Sequence, residues 1–424
     1  MNKYLVFGLL VAGCSGGSSD DDSNILAERA LPAAVAGDAT ALAHASNQFA
    51  VDMYAKLSAG TGNLCLSPYS ISTALGLLDA GAAGTSDQQL RTALHVDLPG
   101  DRFHTAEGAI LDSLDTGRAH GAYTLASANR LYGQLGRSFL PAFLDLTKAD
   151  YGAALESVDF AGNTEAARGT INGWVADQTD DKIKELFAPG DLSSSTVLAL
   201  VNALVFKGSW QQHFDQARTM TAPFTRADGT TVQATMMHKS EAIAAQAIGG
   251  DVTTGHADVL GVLPFKGKDL SMVIVVPAAA DGLPALESRL EAGTLDLAAL
   301  VDGLDASDEK IEITLPKFSF TSSIDLTAPL KALGVTSVFG SDADLSNIDG
   351  GHDLAVTTAV HKAFIAVDED GAEAVAATGI GLSGAGAPTI FAITADHPFV
   401  FAIYDHVTHT ILFLGRVGDP TVGG

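Results

Sequence analysis

The chain has 424 residues, of which 47% are hydrophobic and 17% are charged, a composition typical of a globular protein with a sizeable core. Asp and Glu number 50 against 24 Lys and Arg, so the formal net charge is -26. A surface that follows nucleic-acid phosphates needs the opposite balance, and we therefore expect no nucleic-acid partner. The acidic surplus is typical of a solubilising surface.

The N-terminal residues are typical of an exported protein. A lysine precedes an apolar segment, 4–12, that is too short to span a bilayer, so residues 1–13 are predicted to be a signal peptide. The run Val-Ala-Gly-Cys at 11–14 resembles a bacterial lipobox, which implies lipid attachment to Cys14. The alternative is an ordinary signal peptide with an incidental cysteine.

Serine, glycine and aspartate dominate the stretch after Cys14, so residues 14–37 are predicted to form a flexible tether. We expect lipid anchoring in the bacterial cell envelope or at the cell surface, and secretion otherwise. Membrane contact would then come through the N-terminal lipid only. The other cysteine, Cys65, lies in an apolar run and is interpreted as a small buried hydrophobe, so no disulfide framework is predicted.

From about residue 38 to 424 the chain is predicted to form a single domain. Apolar residues at helical spacing and a proline in a first turn predict helices in the first half. These lie at 44–57, from Ser67 and Pro68 to about 80, and at 85–94, 139–151 and 164–179.

Strand patterns dominate the second half. An almost unbroken apolar run at 197–206 predicts a strand buried on both faces, and 258–265 with 270–277 predicts a hairpin. Further strands are predicted at 229–237, 311–320, 354–367, 399–404 and 411–417. Helices followed by many strands predict an α+β domain with large sheets.

Several common chemical signatures are absent or unconvincing. A G-x-G-x-x-G match at 379–384 runs into Ala-Gly-Ala-Pro and opens no helix, so it is rejected as a dinucleotide fingerprint. His406 and His409 lie in a predicted turn without a third ligand nearby. The G-x-S-x-G match at 13–17 lies in the predicted leader and tether rather than between a strand and a helix, so it is no nucleophile elbow, and no H-E-x-x-H helix occurs. We expect no metal, no cofactor and no enzymatic activity.

An acidic run followed by very small residues, at 367–378, is unusual. Read with period 2, one face is small or apolar throughout and the other carries the charge. The small face holds Ala372, Ala374 and Ala376, and the other face holds Glu373, Val375 and Ala377. An alanine-rich helix followed by a linker fits the local pattern about as well.

The chain resembles the serpin family over nearly all of its length beyond the tether. The matching motifs occur in family order. They are Ser67-Pro68 with Ser70-Ile71, Gly81 to Thr85, Asn172-Gly173-Trp174-Val175, Leu200-Val201-Asn202-Ala203, Phe206 to Trp210 with Phe214, Leu315-Pro316-Lys317-Phe318, Ala359 to Ala363, Asp368 to Thr378, His397 to Phe401, and Gly415-Arg416-Val417.

The resemblance implies a serpin fold of three β-sheets, about eight or nine helices and an exposed reactive-centre loop at about 369–390. It implies a monomer that inhibits a serine protease as a suicide substrate. The cleaved loop would insert into the central sheet and trap the acyl-enzyme. The alternative is a non-inhibitory serpin that is a protease substrate or a carrier.

The resemblance also implies roles for particular residues. A sheet-opening cluster is assigned to Ser67, Ser70, Asn202 and His361, and we expect His361 to hydrogen-bond a cluster member. The region where the loop inserts is assigned to Trp210, Lys317 and Glu369, and we expect the last two to pair. The loop hinge is assigned to Glu369, Asp370, Gly371, Ala372, Glu373, Ala374, Val375, Ala376, Ala377 and Thr378.

The scissile bond is placed at Ala385-Gly386 by the family's spacing, with Leu382-Ser383 in reserve. The leading hypothesis for the target is an elastase- or subtilisin-like serine protease, with chymotrypsin-like enzymes as a further class. The chain departs from the family at Ala372, where inhibitory members usually have threonine.

Overall fold

The computed structural model describes residues 35–119, 123–152, 155–249, 257–305, 310–371 and 392–423. Those ranges contain ten α-helices, one more than the upper number expected from sequence. The helices are α1 (Asp38–Leu57), α2 (Pro68–Asp79), α3 (Gly84–Ala93), α4 (Gly100–Ala119), α5 (Pro141–Tyr151), α6 (Phe160–Gln178), α7 (Leu283–Glu291), α8 (Leu297–Asp302), α9 (Thr327–Ala332) and α10 (Ser346–Asp349).

The described strands form three sheets, as predicted. In chain order they are β1 (Leu64–Leu66), β2 (Tyr123–Gln134), β3 (Glu156–Val158), β4 (Leu198–Gly208), β5 (Met220–Thr225), β6 (Thr231–Glu241), β7 (Ala244–Ala247), β8 (Val259–Pro264), β9 (Leu270–Val276), β10 (Ile311–Pro316), β11 (Phe318–Asp325), β12 (Ala359–Val367), β13 (Ala392–Thr394), β14 (Phe399–Asp405) and β15 (Thr410–Val417). The sheet orders are β1-β15-β14-β9-β8-β7, β13-β10-β6-β5 and β11-β12-β4-β2-β3.

One strand pair distinguishes the five-stranded sheet. β12 and β4 are direct neighbours and run parallel, with register partners from Ala359 opposite Leu200 to Phe364 opposite Val205. The outer neighbours of this pair, β11 and β2, are antiparallel to them. We call the β12–β4 junction the seam.

The strand β4 is buried on both faces, as its unbroken apolar run predicted. Leu200 and Leu204 belong to the main core, whereas Val201 and Val205 pack in a second cluster with α6. The period of two therefore places Asn202 on the main-core face, where α2 lies.

The alternating run at 311–320 is not one strand, which corrects the sequence prediction. It divides at Lys317 into β10 of the four-stranded sheet and β11 of the five-stranded sheet. Pro316 has no N–H to donate to a continuing ladder, and the Lys317 N–H bonds the Thr235 carbonyl at 2.8 Å. One run thus joins two sheets beside Val367, the last residue of β12 and the register partner of Phe318. We call this end of the β12–β4 junction the upper end of the seam.

Two local predictions are confirmed. β8 and β9 pair antiparallel as a hairpin. Cys65 is buried, and burial raises the pKa of its thiol, which makes it a core side chain rather than a nucleophile. Among the described helices, none is both long and apolar enough to cross a membrane.

Candidate functional site

The N-terminus of α2 brings polar groups beneath the central sheet. Ser67 caps the helix, its Oγ accepting from the Ser70 N–H at 3.1 Å, and Pro68 fills the first turn. The Ser67 Oγ also donates to the Leu412 carbonyl at 2.6 Å. Because every residue of α2 is buried, these polar groups depend on protein partners.

His361 connects α2 to the seam. The Ser67 N–H donates to His361 Nε2 at 2.9 Å, so Nε2 carries no proton. The other ring nitrogen, Nδ1, therefore holds the proton and donates to Asn202 Oδ1 at 2.5 Å. Burial lowers the pKa of His361 to about 3, which keeps the ring neutral. The hydrogen bond expected for His361 is confirmed.

Asn202 extends the network to a third strand. Its Nδ2 lies 2.7 Å from Ser70 Oγ and 2.7 Å from Asn129 Oδ1. Asn129 is the register partner of Asn202 on β2, and sequence analysis missed it because β2 was not predicted. We call Ser67, Ser70, Asn129, Asn202 and His361 the polar cluster. It ties β2, β4, β12 and α2 together across the seam.

At the upper end of the seam the chain leaves β12 in a tight turn. The Asp368 side chain accepts from the N–H groups of Asp370 and Gly371 at 3.0 and 3.1 Å. The Asp368 N–H donates to the Gly371 carbonyl at 2.8 Å. Burial raises the pKa of Asp368. The first hinge residues are therefore held in a defined conformation.

The segment that follows β4 binds this turn. The Trp210 N–H donates to the Asp370 carbonyl at 3.0 Å, and the Phe214 N–H donates to the Glu369 carbonyl at 2.9 Å. The indole Nε1 of Trp210 donates to the Asp368 carbonyl at 2.9 Å. These bonds close the upper end of the seam.

Gly371 is required by this close approach. Its φ is +134°, a conformation that L side chains rarely adopt. A Cβ at Gly371 would lie 2.0 Å from the Gly208 carbonyl oxygen and 2.6 Å from the Ser209 Cα. Only glycine allows the two backbones to meet here.

Lys317 and Glu369 form the ion pair that we expected from the sequence, with Nζ 3.0 Å from Oε2. Burial opposes ionisation of Glu369, but the hydrogen bond from Lys317 helps to outweigh it, and the pKa of Glu369 is lowered. The Lys317 side chain is 46% exposed. A pair this open to solvent contributes about 0–1 kcal/mol.

The remaining predicted site residues lie outside the described residues. They are Cys14, the hinge residues Ala372, Glu373, Ala374, Val375, Ala376, Ala377 and Thr378, and the candidate bonds Leu382-Ser383 and Ala385-Gly386.

The structure therefore combines a closed parallel seam, a polar cluster beneath it and a clamped hinge at its upper end. The family model described as serpin (serine protease inhibitor) matches residues 44–420. The chain belongs to the serpin family.

Individual serpins are similar over most of the chain. The leukocyte elastase inhibitor of Sus scrofa is 40% identical over 388 residues, which cover 89% of this chain and 99% of that protein. The crystal structure of Serpin48 from Tenebrio molitor has a TM-score of 0.78 at 32% identity, covering 89% of this chain and 98% of its own. Uncleaved ovalbumin also has a TM-score of 0.78, at 28% identity, covering 90% and 100%.

Proposed function

We propose that this serpin inhibits a serine protease as a suicide substrate, by inserting its cleaved reactive loop into the seam. The observation that carries the proposal is the direct parallel pairing of β12 with β4, with the hinge leaving β12 at the upper end of that pair. A chain that turns back at the hinge runs antiparallel to both strands. It can therefore pair with each of them along its length.

The energetics favour insertion after cleavage. About 12 inserted residues at ~3.3 Å each make a strand of about 40 Å, enough to carry an attached protease across the domain. With a net ~1 kcal/mol for each new ladder bond, insertion contributes on the order of 10 kcal/mol. Since proteases are typically stable by only about 5–15 kcal/mol, this release can distort a trapped active site and halt deacylation.

The hinge contacts give the uncleaved state its resistance to insertion. The bonds from Trp210 and Phe214 to the hinge join groups on the two sides of the seam. A strand between β12 and β4 must break them, together with the Asn202–His361 bond of the polar cluster. These contacts hold the seam closed until a protease cuts the loop.

The proposed scissile bond is Ala385-Gly386, with Leu382-Ser383 in reserve. A small residue before the cut suits an elastase- or subtilisin-like protease, and a similar protein is named leukocyte elastase inhibitor. In this proposal the serpin acts as a monomer, and its own residues catalyse no reaction. Its proposed protein partner is the protease, and it meets the membrane through the N-terminal lipid only.

The proposed placement in the cell rests on the leader. We propose that residues 1–13 are a signal peptide, that Cys14 is lipidated, and that 14–37 tether the domain beginning at residue 38. The relatives named above from Sus scrofa and Tenebrio molitor are animal proteins, so the bacterial lipoprotein interpretation draws its support from the lipobox-like run at 11–14. Intact mass of the mature protein distinguishes a lipidated Cys14 from ordinary signal cleavage.

Incubation with elastase-like, subtilisin-like and chymotrypsin-like proteases tests the proposed function. We expect a complex that survives denaturing electrophoresis, with a mass equal to the protease plus the serpin less the C-terminal peptide. That mass also locates the cut. Cleavage within 379–390 without any complex would contradict the proposal and favour the non-inhibitory alternative.

A further inference from the structure

A lysine is buried beside the hinge contacts. Lys239, on β6, is 2% exposed, and burial lowers its pKa. Its Nζ lies 2.7 Å from Glu241 Oε2 and donates to the Gln212 carbonyl at 3.0 Å. An ammonium group taken out of water is tolerated only with such partners.

The same ammonium faces two aromatic rings. Its Nζ lies 4.9 Å from the centroid of Trp210 and 4.6 Å from that of Phe214. The two rings pack edge to face with centroids 5.8 Å apart, and Phe265 stacks on Trp210 at 4.6 Å. Lys239 therefore contacts the rings of Trp210 and Phe214 and the carbonyl of Gln212, which lies between them in the sequence.

Trp210 and Phe214 are also the residues whose N–H groups bind the hinge carbonyls. Lys239 lies on a different sheet from the seam, and its contacts within the described part of the chain are to Glu241, Gln212 and the two rings rather than to the hinge residues 369–371. Its contacts fix the conformation of 209–214, and that segment in turn binds 368–371. The lysine can thus act on the hinge only through this segment.

We propose that Lys239 is a positioning residue that holds 209–214 against the hinge and thereby sets the barrier to loop insertion. This inference rests on the proposed inhibitory function. Once a strand lies between β12 and β4, the segment can no longer bind the hinge. The stability that Lys239 contributes through the hinge contacts is then lost, whereas the stability that it contributes by its own packing remains.

The variant Lys239→Met tests the proposal because it keeps the length of the side chain and removes the charge. We expect the uncleaved variant to lose inhibitory activity on mild warming about thirtyfold faster than wild type, the effect of one desolvated cation–π contact. We also expect its unfolding temperature to fall by clearly more in the uncleaved form than in the loop-cleaved form, where only the contacts with Glu241 and Gln212 are lost. The variant Glu241→Gln should change the inactivation rate and the unfolding temperature in the same directions as Lys239→Met, but by smaller amounts.

Lys148→Met, an exposed lysine on α5, is the matched control and should behave as wild type. An equal fall of the unfolding temperature in both forms of Lys239→Met, or an unchanged inactivation rate, would overturn the positioning role while wild type still traps proteases. A wild type that neither traps a protease nor gains thermal stability on cleavage would overturn the proposed function, and the role of Lys239 with it.

Discussion

Replacing Ala374 with arginine is expected to turn this serpin from an inhibitor into a substrate. Ala374 lies outside the described residues. The period-2 pattern places it on the small face of the hinge, and we expect that face to point into the core after insertion. The strand β4 beside it is packed on both faces, so little room exists for a long side chain. An unpaired guanidinium would have to be buried, or the strand would stall, at a cost of roughly 3–5 kcal/mol. Water would then complete hydrolysis of the acyl-enzyme.

A denaturing gel against elastase-like and trypsin-like proteases measures this effect. For Ala374→Arg we expect cleaved serpin without the covalent complex. The control, Ala385→Arg, alters only the residue that the proposed scissile bond presents to the protease pocket, and it should keep the trap while shifting it toward trypsin-like enzymes. Undiminished complex with Ala374→Arg would refute the insertion mechanism. Absence of trypsin trapping with Ala385→Arg would refute the chosen scissile bond.

Replacing His361 with alanine is expected to destabilise the closed seam. The substitution leaves the Ser67 N–H and the Asn202 Oδ1 without their partner, both in buried positions. Each such loss costs about 1–3 kcal/mol, a large share of a stability of ~5–15 kcal/mol. On warming, His361→Ala should form latent or polymeric species sooner than wild type. Size-exclusion chromatography with residual inhibition measures both, and the exposed His44→Ala is the control.

The same histidine predicts a pH dependence. Its pKa is about 3 in the folded state and ~6.5 when unfolded, so the unfolded chain binds an extra proton between those values. Its contribution to stability is complete above pH ~6.5 and falls as pH drops toward 3, by up to about 1.4 kcal/mol per pH unit. The stability advantage of wild type over His361→Ala should shrink across that window. A constant advantage would show that the ring is not held neutral.

Sequence reasoning located the elements whose pattern is local. The buried strand β4, the helix start at Ser67 and the hairpin of β8 and β9 were all predicted from periodicity and capping. β2 was missed because Asn129 and Arg130 interrupt its apolar pattern, and Asn129 is polar because it belongs to the cluster. The polar residue Asn129 therefore weakened the apolar pattern by which β2 could have been predicted.

The parts of the candidate site that depend on tertiary contacts could not be predicted from the sequence. A lysine such as Lys239 on a strand is typical of a surface position, yet it is buried here, where Trp210, Gln212 and Phe214 pack against its ammonium group. The acidic run before Gly371 was identified, but the turn closed by Asp368 was not. The pairing of Lys317 with Glu369 was predicted because the serpin resemblance placed both at the upper end of one sheet.

The most direct test of loop insertion is a reversible cross-link across the seam. Val205 and Phe364 are register partners on β4 and β12, and neighbouring strands lie ~4.8 Å apart, within reach of a disulfide. The paired variant Val205→Cys with Phe364→Cys locks the seam when oxidised. The control pair Thr321→Cys with Phe364→Cys locks β11 to β12, a ladder that insertion leaves intact. We expect the oxidised seam variant to be cleaved without trapping the protease, with trapping restored on reduction and undisturbed in the control. A covalent complex formed by the oxidised seam variant as efficiently as by wild type would contradict insertion between β12 and β4.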